Sequence, residues 1–124
     1  MNLFEWLLVG HLAGDFLLQS DKMARYKEGQ WSWMLRHVGI YMFVLGAVLA
    51  GYALSTPLPF WPVFVVWLFL LGSHVVLDRR WFAQHWMRMV GMSSDHPWLP
   101  IVVDQVFHIL TLAIVAQILA LVAS

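Results

Sequence analysis

The sequence predicts an all-α integral membrane protein, a four-helix transmembrane bundle with a short amphipathic interfacial helix between the third and fourth spans. Three observations carry this. Of 124 residues, 61% are hydrophobic and only 11% charged, against about a quarter charged in an ordinary soluble domain. The apolar residues fall in four long runs separated by proline-, glycine- or charge-bearing connections. All seven Lys and Arg sit in two of those connections.

Residues 3–19 form the first expected span, slightly short of the roughly 20 residues that a bilayer crossing needs. With Glu5, His11 and Asp15 inside it and no basic leader before it, this run makes a poor signal peptide and reads as retained. A polar connection follows, holding Asp21, Lys22, Arg25, Lys27 and Glu28 and broken by Gly29. Residues 36–54 form the second span, where Gly39, Gly46, Ala50 and Gly51 are spaced to line a close helix contact. A charge-free turn with Pro57, Pro59 and Pro62 leads into the third span, residues 61–79.

Residues 79–90 place Arg80, Gln84 and Arg88 on one helical stripe and Phe82, Trp86 and Met89 on another. That pattern predicts an amphipathic helix in the interface. Ser93, Ser94 and Asp95 with Pro97 and Pro100 supply start signals for the fourth span, residues 99–123. By the positive-inside rule the two basic connections are cytoplasmic and both termini outside.

With that topology, depth follows. His11 precedes Asp15 and His74 precedes Asp78 on spans running inward, whereas Asp104 precedes His108 on a span running outward. The order inverts with chain direction, so each carboxylate is shallow and each imidazole one turn deeper. On the second span, which also runs outward, His37 is shallow and Tyr41 one turn deeper. Three carboxylates near the membrane core, at about 3 kcal/mol each, would cost on the order of 8–10 kcal/mol. A divalent cation offsets that cost.

His11, Asp15, His74, Asp78, Asp104 and His108 are therefore the expected metal ligands, for one or two Zn, Mn or Fe ions. Without cysteine, any metal here has nitrogen and oxygen ligands. His37 is the expected general base or a further ligand, Tyr41 a hydrogen-bond donor to substrate, and Gln19 and Gln105 hydrogen-bond partners that orient the ligands. Gly10 and Gly14 would let a neighbouring helix approach. His85, His96 and Glu5 read as solvated, Gln117 as packing, and Ser73 beside His74 as diverging from it.

His11-Leu-Ala-Gly-Asp15-Phe-Leu-Leu-Gln19, Met23 with Lys27, Leu35-Arg-His37 with Tyr41, Ser73-His74 with Asp78, and Asp104-Gln105 with His108 together resemble domain of unknown function family 3307, small bacterial membrane proteins. The resemblance runs through nearly the whole chain and supports the same functional residues. A looser likeness, His and Asp on membrane helices, links it to integral-membrane metal-dependent hydrolases.

The expected function is a metal-dependent hydrolase acting on an anionic or lipid-linked substrate at the cytoplasmic face. The alternatives are a cation or proton transporter using the same polar column, and a non-enzymatic membrane subunit in which the polar groups fix helix register. Three Asp residues argue against a b-type haem. The lipid bilayer is a partner, a homodimer could form, and nothing points to nucleic acid.

Overall fold

A computed structural model describes residues 1–93 and 95–124; Ser94, one of the expected start signals of the last helix, lies outside the described residues. The described residues form helices and connections, without strands. Helix α1 (Leu3–Leu12) runs directly into a π-helical turn (Ala13–Leu17). There follow α2 (Asp21–Tyr26), α3 (Trp31–Ser55), α4 (Phe60–Asp78), α5 (Trp81–Met89) and α6 (Leu99–Ala123). Helix α1 packs on α3 and α6, and α4 packs on the same two, so these four surround one core.

Three helices are long and apolar enough to cross a membrane, not the four expected: α3 with 25 residues, α4 with 19 and α6 with 25. The first segment falls short because it holds ten α-helical and five π-helical residues, about 22 Å at 1.5 Å per residue against a hydrocarbon core of about 30 Å. Its start is well specified. Asn2 Oδ1 accepts from the Glu5 amide at 3.0 Å, and Glu5 Oε2 accepts from the Asn2 amide at 2.8 Å, a reciprocal capping box. Glu5, expected merely to be solvated, thus fixes the first turn.

The connection after it is not a loose loop. Ser20 Oγ accepts from the Met23 amide at 3.3 Å and starts α2. The chain then turns back, with Gln30 N donating to Tyr26 O at 2.9 Å, and enters α3 five residues before the expected residue 36. Two arginines fasten this turn to the end of α4. Arg79 donates to Glu28 O at 2.7 Å and lies 4.0 Å from the centroid of the Trp31 ring, while Arg80 pairs with Glu28 Oε1 at 2.7 Å.

Helix α4 begins behind Pro59, whose fixed φ suits a helix entrance. It ends where Arg80 adopts the left-handed conformation, at φ 54°. That break separates α5 from α4, so residues 81–89 form their own amphipathic helix as the stripes predict. Helix α6 starts at Leu99 with Pro100 in its first turn, and no side chain caps it. Ser93 Oγ instead accepts from the Asp95 amide at 3.2 Å, before the helix.

In lipid, helices associate through packing and interhelical hydrogen bonds rather than hydrophobic burial. The close packing is at the first segment: a Cβ on Gly10 would lie 2.9 Å from Val48 Cγ2, and one on Gly14 3.0 Å from Tyr41 Cδ2 and 3.3 Å from Tyr41 Cα. The small residues of α3 act differently from the expectation. Gly39 and Gly51 face open space, and Gly46 meets only the Trp67 indole at 3.6 Å. Beyond the glycine contact, Leu7, Leu45, Leu49, Leu70, Leu112 and Leu119 fill an apolar half of the core.

Candidate metal centre

The other half of the core is polar. His11, Asp15, His37, His74, Asp78, Asp104 and His108 are all buried, none more than 4% exposed. Helical spacing explains their convergence, since each His–Asp pair on α1, α4 and α6 lies four residues apart and projects from one face. The π turn holds Asp15 and Leu18 N donates across it to Ala13 O at 3.0 Å, a bond reaching back five residues. Such turns favour functional sites.

Two groups of metal-ligating atoms result, each with its donor atoms within 4.8 Å of one another. The first comprises Asp15, His37, His74 and Asp78, the second Asp78, Asp104 and His108. Asp78 belongs to both. Its Oδ2 faces the first group, 2.8 Å from His37 Nε2 and 3.2 Å from His74 Nε2. Its Oδ1 faces the second, 3.6 Å from His108 Nε2.

Lys27 supplies the cation in the first group. It is 5% exposed, and its ammonium donates to Asp78 Oδ2 at 2.8 Å and Asp15 Oδ1 at 3.3 Å, with His37 Nε2 also at 3.3 Å. No pattern in the sequence signals this placement: Lys27 sits in the polar connection, and the charge count assigns it to a cytoplasmic loop. One of the seven basic residues is therefore internal. A Lys directly after an aromatic-ended short helix carries no periodic signal; its place beside Met23 in the family-like motif is the only hint.

The second group has no such donor. Asp78 Oδ1, Asp104 Oδ1 and His108 Nε2 are buried without a hydrogen-bond partner among the described residues. The Asp104 carbonyl, 3.0 Å from His108 Nδ1, can only accept, so Nδ1 carries a proton, and in the neutral ring Nε2 then presents a lone pair. Asp104 Oδ1 is 3.3 Å from that same Nδ1.

His11 lies outside both groups, and a chain of hydrogen bonds says why. A carboxylate only accepts, so the Gln105 amide must donate to Asp15 Oδ2, at 2.8 Å. Gln105 Oε1 then faces His11 Nε2 at 2.9 Å, which must donate. His11 Nδ1 is left to accept from the Tyr41 hydroxyl at 3.0 Å. Both ring nitrogens are engaged, and His11 stacks on His108 with centroids 5.1 Å apart.

Of the remaining expected residues, Tyr41 also stacks on His74 at 3.6 Å, and Gln105 joins Asp15 to His11. Gln19 is half-buried, its Oε1 without a partner among the described residues. His85 and His96 are exposed beside Trp81 and Trp98. Ser73 Oγ turns away from His74 to donate to Leu70 O at 3.1 Å, and Gln117 is exposed.

With neutral imidazoles, three carboxylates and one ammonium leave the cluster two negative charges in a buried, apolar setting. Both carboxylate oxygens without a partner among the described residues belong to the second group, and its set of two carboxylates and one imidazole suits a divalent transition ion. Comparison with curated proteins and with solved structures finds no match. A family model described as Protein of unknown function (DUF3307) matches residues 3–124. Carrying that match over nearly its whole length, together with the buried His and Asp residues of its helices, this chain belongs to the DUF3307 family.

Proposed function

We propose that the protein is an integral-membrane metalloenzyme, a hydrolase whose single divalent ion, Zn, Mn or Fe, is held by Asp78, Asp104 and His108. The observation that carries this is that Asp78, Asp104 and His108 offer ligand atoms within 4.8 Å of one another, while Asp78 Oδ1, Asp104 Oδ1 and His108 Nε2 are buried without a partner among the described residues. One dication balances the two excess negative charges of the cluster. Three protein ligands are also the number that catalytic zinc sites use, the further position being left for water, whose pKa the ion lowers.

His37 is the base of this reading, 2.8 Å from Asp78 Oδ2 and so linked to the ion through the shared carboxylate. His11, Gln105 and Tyr41 hold Asp15 and the imidazoles in place. The substrate is anionic and lipid-linked. Supporting that class, a cavity of about 500 Å³ opens between α4, α5 and α6, lined by Phe69, Ser73, Leu77, Phe82 and Phe107 among others. Leu77 and Phe107 are the chain neighbours of Asp78 and His108, so an acyl chain in this apolar cavity would put its head group toward the site. Arg79 and Arg80 at the same end attract phosphate.

The basic segments are cytoplasmic in this reading and the bilayer is a bacterial inner membrane. Helix α6 then ends outside, and α1 enters the core from the outer side. Transport is disfavoured by the apolar half of the core, where Leu7, Leu45, Leu112 and Leu119 are at most 1% exposed and offer an ion no ligands.

Metal analysis of detergent-purified protein tests the centre, beside hydrolysis assays on lipid phosphates with and without chelator. One equivalent of a transition ion, lost in His108→Ala and Asp104→Asn, with chelator-sensitive hydrolysis, is the expected result. Absence of metal in a folded protein would favour the non-enzymatic membrane subunit, and Zn²⁺ or Mn²⁺ flux into proteoliposomes would favour transport.

A further inference from the structure

We infer that the Lys27 ammonium holds the place of a second divalent cation, in a site built from Asp15, His37, His74 and Asp78. The donor atoms of these four residues are spaced as metal ligands are. His37 Nε2 lies 3.1 Å from His74 Nε2, 3.1 Å from Asp15 Oδ1 and 2.8 Å from Asp78 Oδ2, and His74 Nε2 is 3.2 Å from Asp78 Oδ2. Bonds of about 2.0–2.1 Å to a tetrahedral ion put ligand atoms about 3.3 Å apart.

Lys27 Nζ meets three of those four atoms at 2.8–3.3 Å. It uses the same lone pairs of Asp15 Oδ1 and Asp78 Oδ2 that an ion would need. Ammonium and metal therefore exclude one another there. Asp78 completes the arrangement, because its two oxygens face the two groups separately, as a carboxylate bridging two ions does. The chain thus carries the frame of a two-ion centre in which one cation is a side chain.

Without the ammonium the buried cluster has three negative charges rather than two, so one divalent ion leaves a carboxylate charge uncompensated, and a second ion removes that excess with one positive charge over. The inference rests on the single-ion reading above for the second group, and the test separates the two. Full-length protein is purified in detergent, loaded with Mn²⁺, and examined by metal analysis and electron paramagnetic resonance. The variants are Lys27→Met, Lys27→Met with Asp15→Asn, and His108→Ala.

Wild type is expected to hold one uncoupled Mn²⁺. Lys27→Met should hold twice as much, with the exchange-coupled spectrum of ions about 3.5–4 Å apart, and lose the added ion with Asp15→Asn. One ion in folded Lys27→Met, or a coupled pair already in wild type, would overturn the inference and leave the single-ion site standing or extended. No ion in wild type but one in Lys27→Met, removed by Asp15→Asn, would sustain the inference and sink the single-ion reading. No ion in either sinks both. Should Lys27→Met not fold, Lys27→Gln is judged by the same criteria.

Discussion

Lys27 Nζ and Asp78 Oδ2 lie 2.8 Å apart, although 51 residues separate them in the chain and one belongs to a polar connection, the other to the end of a long apolar helix. This ion pair ties the turn after α2 to the core more directly than any apolar contact. Breaking one side of a buried pair costs about 3–5 kcal/mol, because the partner charge is left uncompensated. Lys27→Met should lose stability of that order in chelator, read as a lowered thermal midpoint in detergent. Added Zn²⁺ should recover part of the loss.

Among the described residues, Gln105 is the side chain that bonds both His11 and Asp15. Gln105→Met would leave the His11 Nε2 proton and Asp15 Oδ2 without it, at about 1–3 kcal/mol for each buried group. Because the same amide also reaches Asp104 Oδ2, at 3.5 Å, metal affinity should fall by about 10–100-fold, the usual effect of removing a partner that orients a ligand. Isothermal titration with Zn²⁺ beside a thermal melt checks both, and an unchanged affinity would remove Gln105 from the orienting role.

Tyr41→Phe separates the hydroxyl from the ring. The stack on His74 remains, but His11 Nδ1 loses its donor. A loss of about 1–3 kcal/mol is expected, while metal content stays at the wild-type value, because the hydroxyl touches neither ligand group. Metal loss in this variant would show that His11 matters to the ion.

The glycines give opposite expectations. Gly14→Ala places a methyl 3.0 Å from the Tyr41 ring and 3.3 Å from its backbone, so α3 must shift, at about 1–3 kcal/mol. Gly51→Ala meets nothing within 4 Å and exchanges a poor helix former for the best one, worth up to about 1 kcal/mol. Thermal midpoints of the two variants should therefore move in opposite directions.

Metal linkage provides a further check. A ligand at about 100 times its dissociation constant stabilises by about 2.7 kcal/mol. Wild type should gain that much with Mn²⁺ or Zn²⁺, and His108→Ala, lacking one of three ligands, should gain far less. Equal stabilisation of both would place the ion elsewhere.

The His and Asp residues of the core were legible in the sequence because a four-residue interval on an apolar helix leaves little choice of direction, and the inversion of order on α6 follows from chain direction alone. The bounds of α4 and α6 were legible for a similar reason, as proline and charge mark their ends. Lys27 was hidden because burial of a loop lysine depends on where a turn folds back, which no periodicity records. The shortness of the first segment was hidden by its composition: apolar residues continue past Glu5, His11 and Asp15 as far as Leu18, and neither the capping box nor the π turn interrupts them. Glycine spacing on α3 misled, since spacing shows that residues share a face without showing which neighbour that face meets.

The Lys27 ammonium is also a counter-ion on a leash. It is attached 12 residues from Asp15, so its meeting with that carboxylate is intramolecular, at an effective concentration set by the connecting segment. Dialysis, dilution and chelators cannot remove it, and the clasp of Glu28 by Arg79 and Arg80 restrains the turn that bears it. The acceptors of Asp104 and His108 have no such tether and depend on what the surroundings supply. One of the three carboxylate charges is therefore balanced independently of metal concentration, and the balance of the other two varies with it.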